Sequence, residues 1–205
     1  MVPIKDCSVD AQVRDLEAVV RHLNKKKVAL FGISAGGYVA IRYAASFPEK
    51  VSKLILYGTY ACGRDILTPE QKEAQITLVK GYWGREECAG FFVELFGGAQ
   101  IIREYIRRYL LASSSREHAA EFLSQIYDVD VTEHAKHVTC PTLILHRFSD
   151  RAIPYRMAEQ LKELIPGSKL QPVPGNSHLP WIGRWEDESK RIVELVLGFL
   201  GDDVG

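Results

Sequence analysis

Cysteine is scarce in this chain and never paired in sequence. Cys7, Cys62, Cys88 and Cys140 lie far apart with no C-x-x-C spacing, which argues against a zinc site or a disulfide framework and for reduced thiols. Net charge is absent as well: Lys plus Arg and Asp plus Glu number 26 each in 205 residues. No overall field therefore draws the chain to nucleic acid or to an anionic membrane, and neither is expected as a partner. Long apolar runs are also missing. "KLILYG" and "IVELVLGFL" fall well short of the roughly 20 residues that a membrane span needs. The opening "MVPIKDCSVD" has neither the charged nor the apolar region of a signal peptide, so a cytoplasmic location is expected. What remains is ample apolar material, 46% of residues, for the core of one domain.

That material is patterned. "VDAQVRDLEAVVRHL" sets Val9, Val13, Leu16, Val19, Val20 and Leu23 at spacings of three and four, predicting an amphipathic helix. Residues 28–32 read as a short buried strand and residues 36–46 as an alanine-rich helix stopped by Pro48. "VSKLILYGTY" supplies a second strand, so the unit is βαβ and the sheet parallel. From 64 to 130 the segments "TPEQKEAQITLVKGYW", "REECAGFFVELFGG", "IIREYIRRYLLAS" and "SREHAAEFLSQIY" all read as helices. Strand signals return in "PTLILHRFSD" and "SKLQPVPG", separated by a helix, and "DESKRIVELVLGFL" closes the chain as a helix. The expected class is α/β, with a core of residues 1–63 and 131–205 and a helical cap of residues 64–130 inserted between the second and third strands.

The turn after the first strand carries Gly32-Ile33-Ser34-Ala35-Gly36, a G-x-S-x-G pattern with a strand before it and a helix after it. Glycines flanking the serine permit a sharp turn that lifts its oxygen above the sheet. The alternative is a glycine-rich turn in which Ser34 caps the helix or touches a phosphate, but the G-x-G-x-x-G pattern is absent. A serine hydroxyl attacks only if a base takes its proton. Of six histidines, His22, His118, His134 and His137 read as solvated surface and His146 as packed within a strand. His178, in "PVPGNSHLPW", lies in a loop just beyond a short strand, at the sheet end where such loops collect. The imidazole needs an acceptor on its other nitrogen. Asp150, ending "LILHRFSD", is placed for that, with Asp65 as the main rival and Asp128 and Asp130 as weaker ones.

"FGISAGGYVAIRYAASFPEKVSKLILYGTYA", "PTLILHRFSDRAIP" and "PGNSHLPW" together resemble the α/β-hydrolase superfamily, and look most like bacterial hydrolase-type domains that also occur fused to adenylate cyclase or LuxR-type regulators. The resemblance implies Ser34 as nucleophile, Asp150 as acid and His178 as base, in the chain order of that family. It implies no metal and no organic cofactor. The backbone N–H of Ala35 is the implied oxyanion donor. The family usually begins with further strands and an oxyanion loop before the nucleophile strand, whereas only 33 residues precede Ser34 here. Strand 28–32 is therefore expected at a sheet edge, where a homodimer or higher oligomer would cover it and a partner chain could supply the second donor. The expected activity is carboxylester hydrolysis of a small molecule. Alternatives are the same triad used for cofactor-free peroxidase or carbon–carbon bond hydrolysis, and a non-catalytic ligand-binding domain. Tyr60, Tyr82, Trp83, Phe91 and Phe92, with Phe96, are candidates to line an apolar substrate pocket, although aromatics at helical spacing equally suit a core.

Overall fold

The computed structural model describes residues 6–97, 103–181 and 188–201. Four parallel strands, β1 (Val28–Ile33), β2 (Val51–Tyr57), β3 (Thr142–Arg147) and β4 (Lys169–Val173), lie side by side in that order. Helix α1 (Val9–His22) precedes β1, α2 (Ala35–Ser46) links β1 to β2, and α8 (Arg156–Leu164) links β3 to β4. The last helix, α9 (Lys190–Gly201), follows β4. Strands β2 and β3 are nearly continuous in apolar residues because both faces are covered, as parallel sheets require. Leu54, Leu56 and Ile144 pack toward α1, α2 and α8. Ile55, Tyr57, Leu143 and Leu145 turn the other way, toward Ile192, Leu195, Val196 and Phe199 of α9.

Between β2 and β3 lie α3 (Pro69–Tyr82), α4 (Glu86–Leu95), α5 (Arg103–Ser113), α6 (Arg116–Asp128) and the short α7 (Thr132–Lys136). The first four share an apolar cluster of their own around Val79, Ala89, Val93, Ile106 and Leu110. The two ends of this insertion are pinned together. Cys62 and Asp130 form an antiparallel bridge, Gly63 N–H donates to Val129 O at 2.8 Å, and Val131 N–H donates to Ala61 O at 2.8 Å. No described helix is long and apolar enough to cross a membrane.

The structure departs from the sequence reading in α1. Its buried stripe is narrower than expected: Val13 and Val20 are buried and Val9 and Leu16 pack beside them, while Val19 and Leu23 are 57% and 51% exposed. Among the described helices α2 is the main neighbour of α1, and it buries only one line of residues along it. Among the described strands β1 lies at the edge of the sheet, as expected, with Phe31 exposed on it.

One carboxylate ties α1 to the start of the sheet. Glu17 accepts hydrogen bonds from Lys50 Nζ (2.5 Å), Tyr43 Oη (2.5 Å) and Arg21 Nε (2.7 Å). Lys50 first and Tyr43 next hold its carboxyl down at about 2, against an ordinary 4.5. A carboxyl depressed in the folded state adds stability above its unfolded value, and that contribution fades as pH falls through 4.5 toward 2. The expected outcome is that wild type melts above Glu17→Gln at pH 6 and that the gap closes by pH 2 to 3. A gap independent of pH in thermal melts would contradict this.

Candidate active site

Ser34 stands between β1 and α2 with φ +51° and ψ −125°, a backbone state that non-glycine residues avoid unless their surroundings impose it. Three bonds impose it here. Ser34 N–H donates to Tyr57 O at 3.0 Å, and its carbonyl accepts from the Thr59 hydroxyl at 2.6 Å and from Gly37 N–H at 2.9 Å. The Ser34 side chain makes no cap to α2, so the hydroxyl is not consumed by the helix. Ala35 opens that helix, where the first N–H groups lack partners within it. The glycines divide their work. A Cβ on Gly32 would lie 2.7 Å from Gly37 Cα, and one on Gly37 would lie 2.2 Å from Thr59 Oγ1, whereas a Cβ on Gly36 would meet nothing within 4 Å. Gly32 and Gly37, rather than Gly36, are thus the positions where close approach demands glycine.

Asp150 and His178 meet at the same end of the sheet. Asp150 Oδ2 lies 2.8 Å from His178 Nδ1, and both side chains are almost wholly buried. Asp150 Oδ1 accepts from the N–H groups of Ala152 and Ile153 at 2.9 and 3.1 Å, which fixes the carboxylate plane and leaves Oδ2 to the imidazole. The loop of His178 is gripped from the insertion: His178 N–H donates to Phe96 O at 3.0 Å, and the Phe96 ring stacks on the imidazole at 5.7 Å. Gly58 closes the arrangement. At φ +55° its missing Cβ would lie 3.3 Å from His178 Nδ1 and 3.4 Å from Asp150 Oδ2. Among the described residues no hydrogen bond within 3.5 Å joins Ser34 Oγ to His178, a link that commonly tightens only with substrate in place.

The other histidines and acids lie elsewhere. His146, fully buried in β3, has its Nε2 2.9 Å from Ile153 O. Burial pushes its imidazole below the ordinary range, a trend the Ile153 carbonyl and Asp150 oppose. His118 contacts Cys7 Sγ at 3.4 Å rather than standing free in solvent. Asp65 is exposed in a 3-10 turn (Gly63–Asp65), Asp128 is exposed at the end of α6, and Asp130 pairs with Arg64 at 2.7 Å.

Beside the imidazole, Phe96 also forms a wall of a cavity of about 520 Å³. Trp83 and Phe92 line it with Leu110, Leu123 and Ile126, and Cys7, Gln12 and His118 stand at its polar side. Phe91 packs edge-on against Phe92 at 5.5 Å and is not among the lining residues. Two further aromatics expected in the pocket are placed elsewhere. Tyr60 is 1% exposed in the main core against Tyr38, and Tyr82 lies on a shallow outer groove of α3. Sequence reasoning also missed Tyr57, Gly58 and Thr59, whose only local signal is a small-residue pair directly after a strand.

The profile of the family described as "alpha/beta hydrolase fold" matches residues 3–86. A 2-hydroxy-6-oxononadienedioate/2-hydroxy-6-oxononatrienedioate hydrolase of Klebsiella pneumoniae is 28% identical over 203 residues, covering 93% of this chain and 68% of the relative. Among solved structures, a bromoperoxidase from Bacillus anthracis superposes with a TM-score of 0.85 at 23% identity, covering 98% of this chain and 77% of that one. An esterase from Exiguobacterium antarcticum superposes at 0.82 with 24% identity, covering 98% and 76%. At these identities the two structures speak to the fold.

The glycine geometry makes a direct prediction. Gly37→Ala is expected to destabilise by about 1–3 kcal/mol or more, as overpacking does, because its Cβ would overlap Thr59. Gly36→Ala should stay within about 1 kcal/mol and gain helix propensity. Urea melts of both variants check this, and equal losses would contradict it.

Proposed function

We propose that the chain is a serine hydrolase of the α/β-hydrolase superfamily, whose profile matches residues 3–86, and that it cleaves carboxylic esters through an acyl-enzyme on Ser34. One observation carries the reading: a buried Asp150–His178 pair, 2.8 Å apart, beside a strained serine whose hydroxyl caps nothing. Ser34 Oγ attacks the ester carbonyl while His178 Nε2 takes its proton. Asp150 holds Nδ1–H and stabilises the imidazolium that forms. The Ala35 N–H, at the positive end of α2, receives the developing oxyanion. His178 then protonates the leaving alcohol and activates the water that releases the acyl group. The cavity behind Phe96 is suited to the apolar part of the substrate.

A second reading, hydrolysis of a carbon–carbon bond in an oxo acid, draws on the likeness to the Klebsiella hydrolase. It uses the same three side chains, so substrate panels separate it from ester cleavage.

Fluorophosphonate labelling is expected to be stoichiometric and confined to Ser34, and Ser34→Ala should abolish both labelling and p-nitrophenyl ester turnover while the protein stays folded. Asp150→Asn should lower kcat on the order of 1,000- to 10,000-fold by stabilising the wrong imidazole tautomer, and Asp65→Asn should be silent. Wild-type protein that resists the reagent would leave a binding domain as the function. Turnover that survives Ser34→Ala would remove this serine from the chemistry.

A further inference from the structure

His146, next to last in β3, is fully buried, and a buried imidazole must spend its N–H on an acceptor. Its Nε2 lies 2.9 Å from Ile153 O. A carbonyl oxygen can only accept, so Nε2 carries the proton. Nδ1 is then a bare lone pair, and among the described residues it has no hydrogen-bond partner. A second proton there would be a buried donor without an acceptor, so the ring stays neutral. The Tyr155 ring meets the imidazole edge-on at 5.8 Å, and Phe148 packs on Tyr155 at 4.3 Å.

The bond to Ile153 joins the two ends of the loop that carries the acid. Asp150 N–H donates to Arg147 O at 3.2 Å, and the N–H groups of Ala152 and Ile153 donate to Asp150 Oδ1 at 2.9 and 3.1 Å. Ile153 thus receives from His146 through its carbonyl and gives to Asp150 through its N–H. His146 Nε2 also lies 3.7 Å from Asp150 Oδ2, the oxygen that His178 Nδ1 meets at 2.8 Å. Both imidazoles therefore converge on one carboxylate oxygen.

We propose that His146 is a positioning residue for the acid: its Nε2–H ties Ile153 O to the end of β3, closes the loop of Asp150, and holds Oδ2 where it meets His178. The proposal rests on the reading of Asp150 and His178 as acid and base. The role calls for a neutral donor, because a second cation beside the same oxygen would compete with the imidazolium of His178. The titratable groups facing the His146 ring are Asp150 in its loop, His178 across that carboxylate and Tyr155 ahead of α8.

Substitutions at this position separate reach, polarity and volume. His146→Gln carries an amide N–H to about the position of Nε2. His146→Asn carries the same amide only as far as Nδ1, and His146→Phe keeps a ring without a donor. A residue that merely fills space would rank these by size and polarity, whereas a donor to Ile153 O ranks them by reach.

The experiment measures the rate of phosphonylation of Ser34 by a fluorophosphonate in wild type and the three variants, with a melting temperature for each. Histidine side-chain 15N spectra of labelled protein report which ring nitrogen carries the proton. Expected in wild type are His146 as the Nε2–H tautomer and His178 as the Nδ1–H tautomer. His146→Gln should react within about three-fold of wild type, and folded His146→Asn and His146→Phe at least about ten-fold more slowly. In the two slow variants His178 should no longer be held as Nδ1–H alone. A proton on Nδ1 of His146, a folded Asn or Phe variant as fast as wild type, or a Gln variant as slow as the others would overturn the proposal. Should the Asn and Phe variants not fold, the tautomer of His146 and the rate of His146→Gln decide. Should wild type resist phosphonylation, the assignment of Ser34 fails, and the His178 signals judge His146 separately. Signals unchanged in every variant then overturn the proposal, and loss of the Nδ1–H form in the Asn or Phe variant but not in the Gln variant supports it.

Discussion

The backbone at the end of β2 is a place that two distant segments must both reach. Tyr57 O accepts from Ser34 N–H, and the Thr59 hydroxyl donates to Ser34 O. These bonds hold the serine in a conformation it would not adopt alone. Gly58, between them, leaves the volume into which the His178 ring and the Asp150 carboxylate close. Remove either relation and serine and imidazole lose the reference point that the end of β2 gives them both. The core packing of β2, covered by helices on both faces, makes that reference rigid.

Electrostatics follow the same economy of placement. Asp150 is buried but accepts from two backbone N–H groups and an imidazole, so its charge is stabilised by fixed dipoles rather than by water. His146 stands next to it, its Nε2 3.7 Å from Asp150 Oδ2, and burial favours its neutral form. It therefore does not compete with His178 as a counter-ion. The insertion adds the remaining contact, with Phe96 offering a carbonyl to the backbone of His178 and a ring to its side chain. A cap helix and the base loop are thereby coupled without sharing a strand.

Much of this was legible in the sequence, for a physical reason. Strand ends in a parallel sheet are marked locally, by an apolar run that stops at glycine, aspartate or proline. Ser34, Asp150 and His178 could be singled out from such marks, as could the four strands and the helical insertion. What escaped depends on register between distant segments. Nothing local shows that Tyr57 O points at Ser34, that Arg147 inside a strand is buried against Glu188, or that Tyr60 turns away from the cavity. Helical spacing gives the separation of aromatic residues but not which neighbour they meet, so Tyr82 and Phe91 do not line the cavity, and Tyr60, directly after β2, turns into the main core against Tyr38. Val19 and Leu23 keep the spacing of a buried face and stay exposed for the same reason.

The claim that the end of β2 aligns the site is tested most directly at Gly58. Alanine there would strain a φ of +55° and press a methyl to 3.3 Å from the imidazole, with a backbone cost of roughly 1–2 kcal/mol. The measurement is the rate of active-site phosphonylation of Gly58→Ala, under conditions where circular dichroism shows it fully folded. The account predicts a rate reduced at least about ten-fold in a folded protein. A folded variant that reacts as fast as wild type would contradict it.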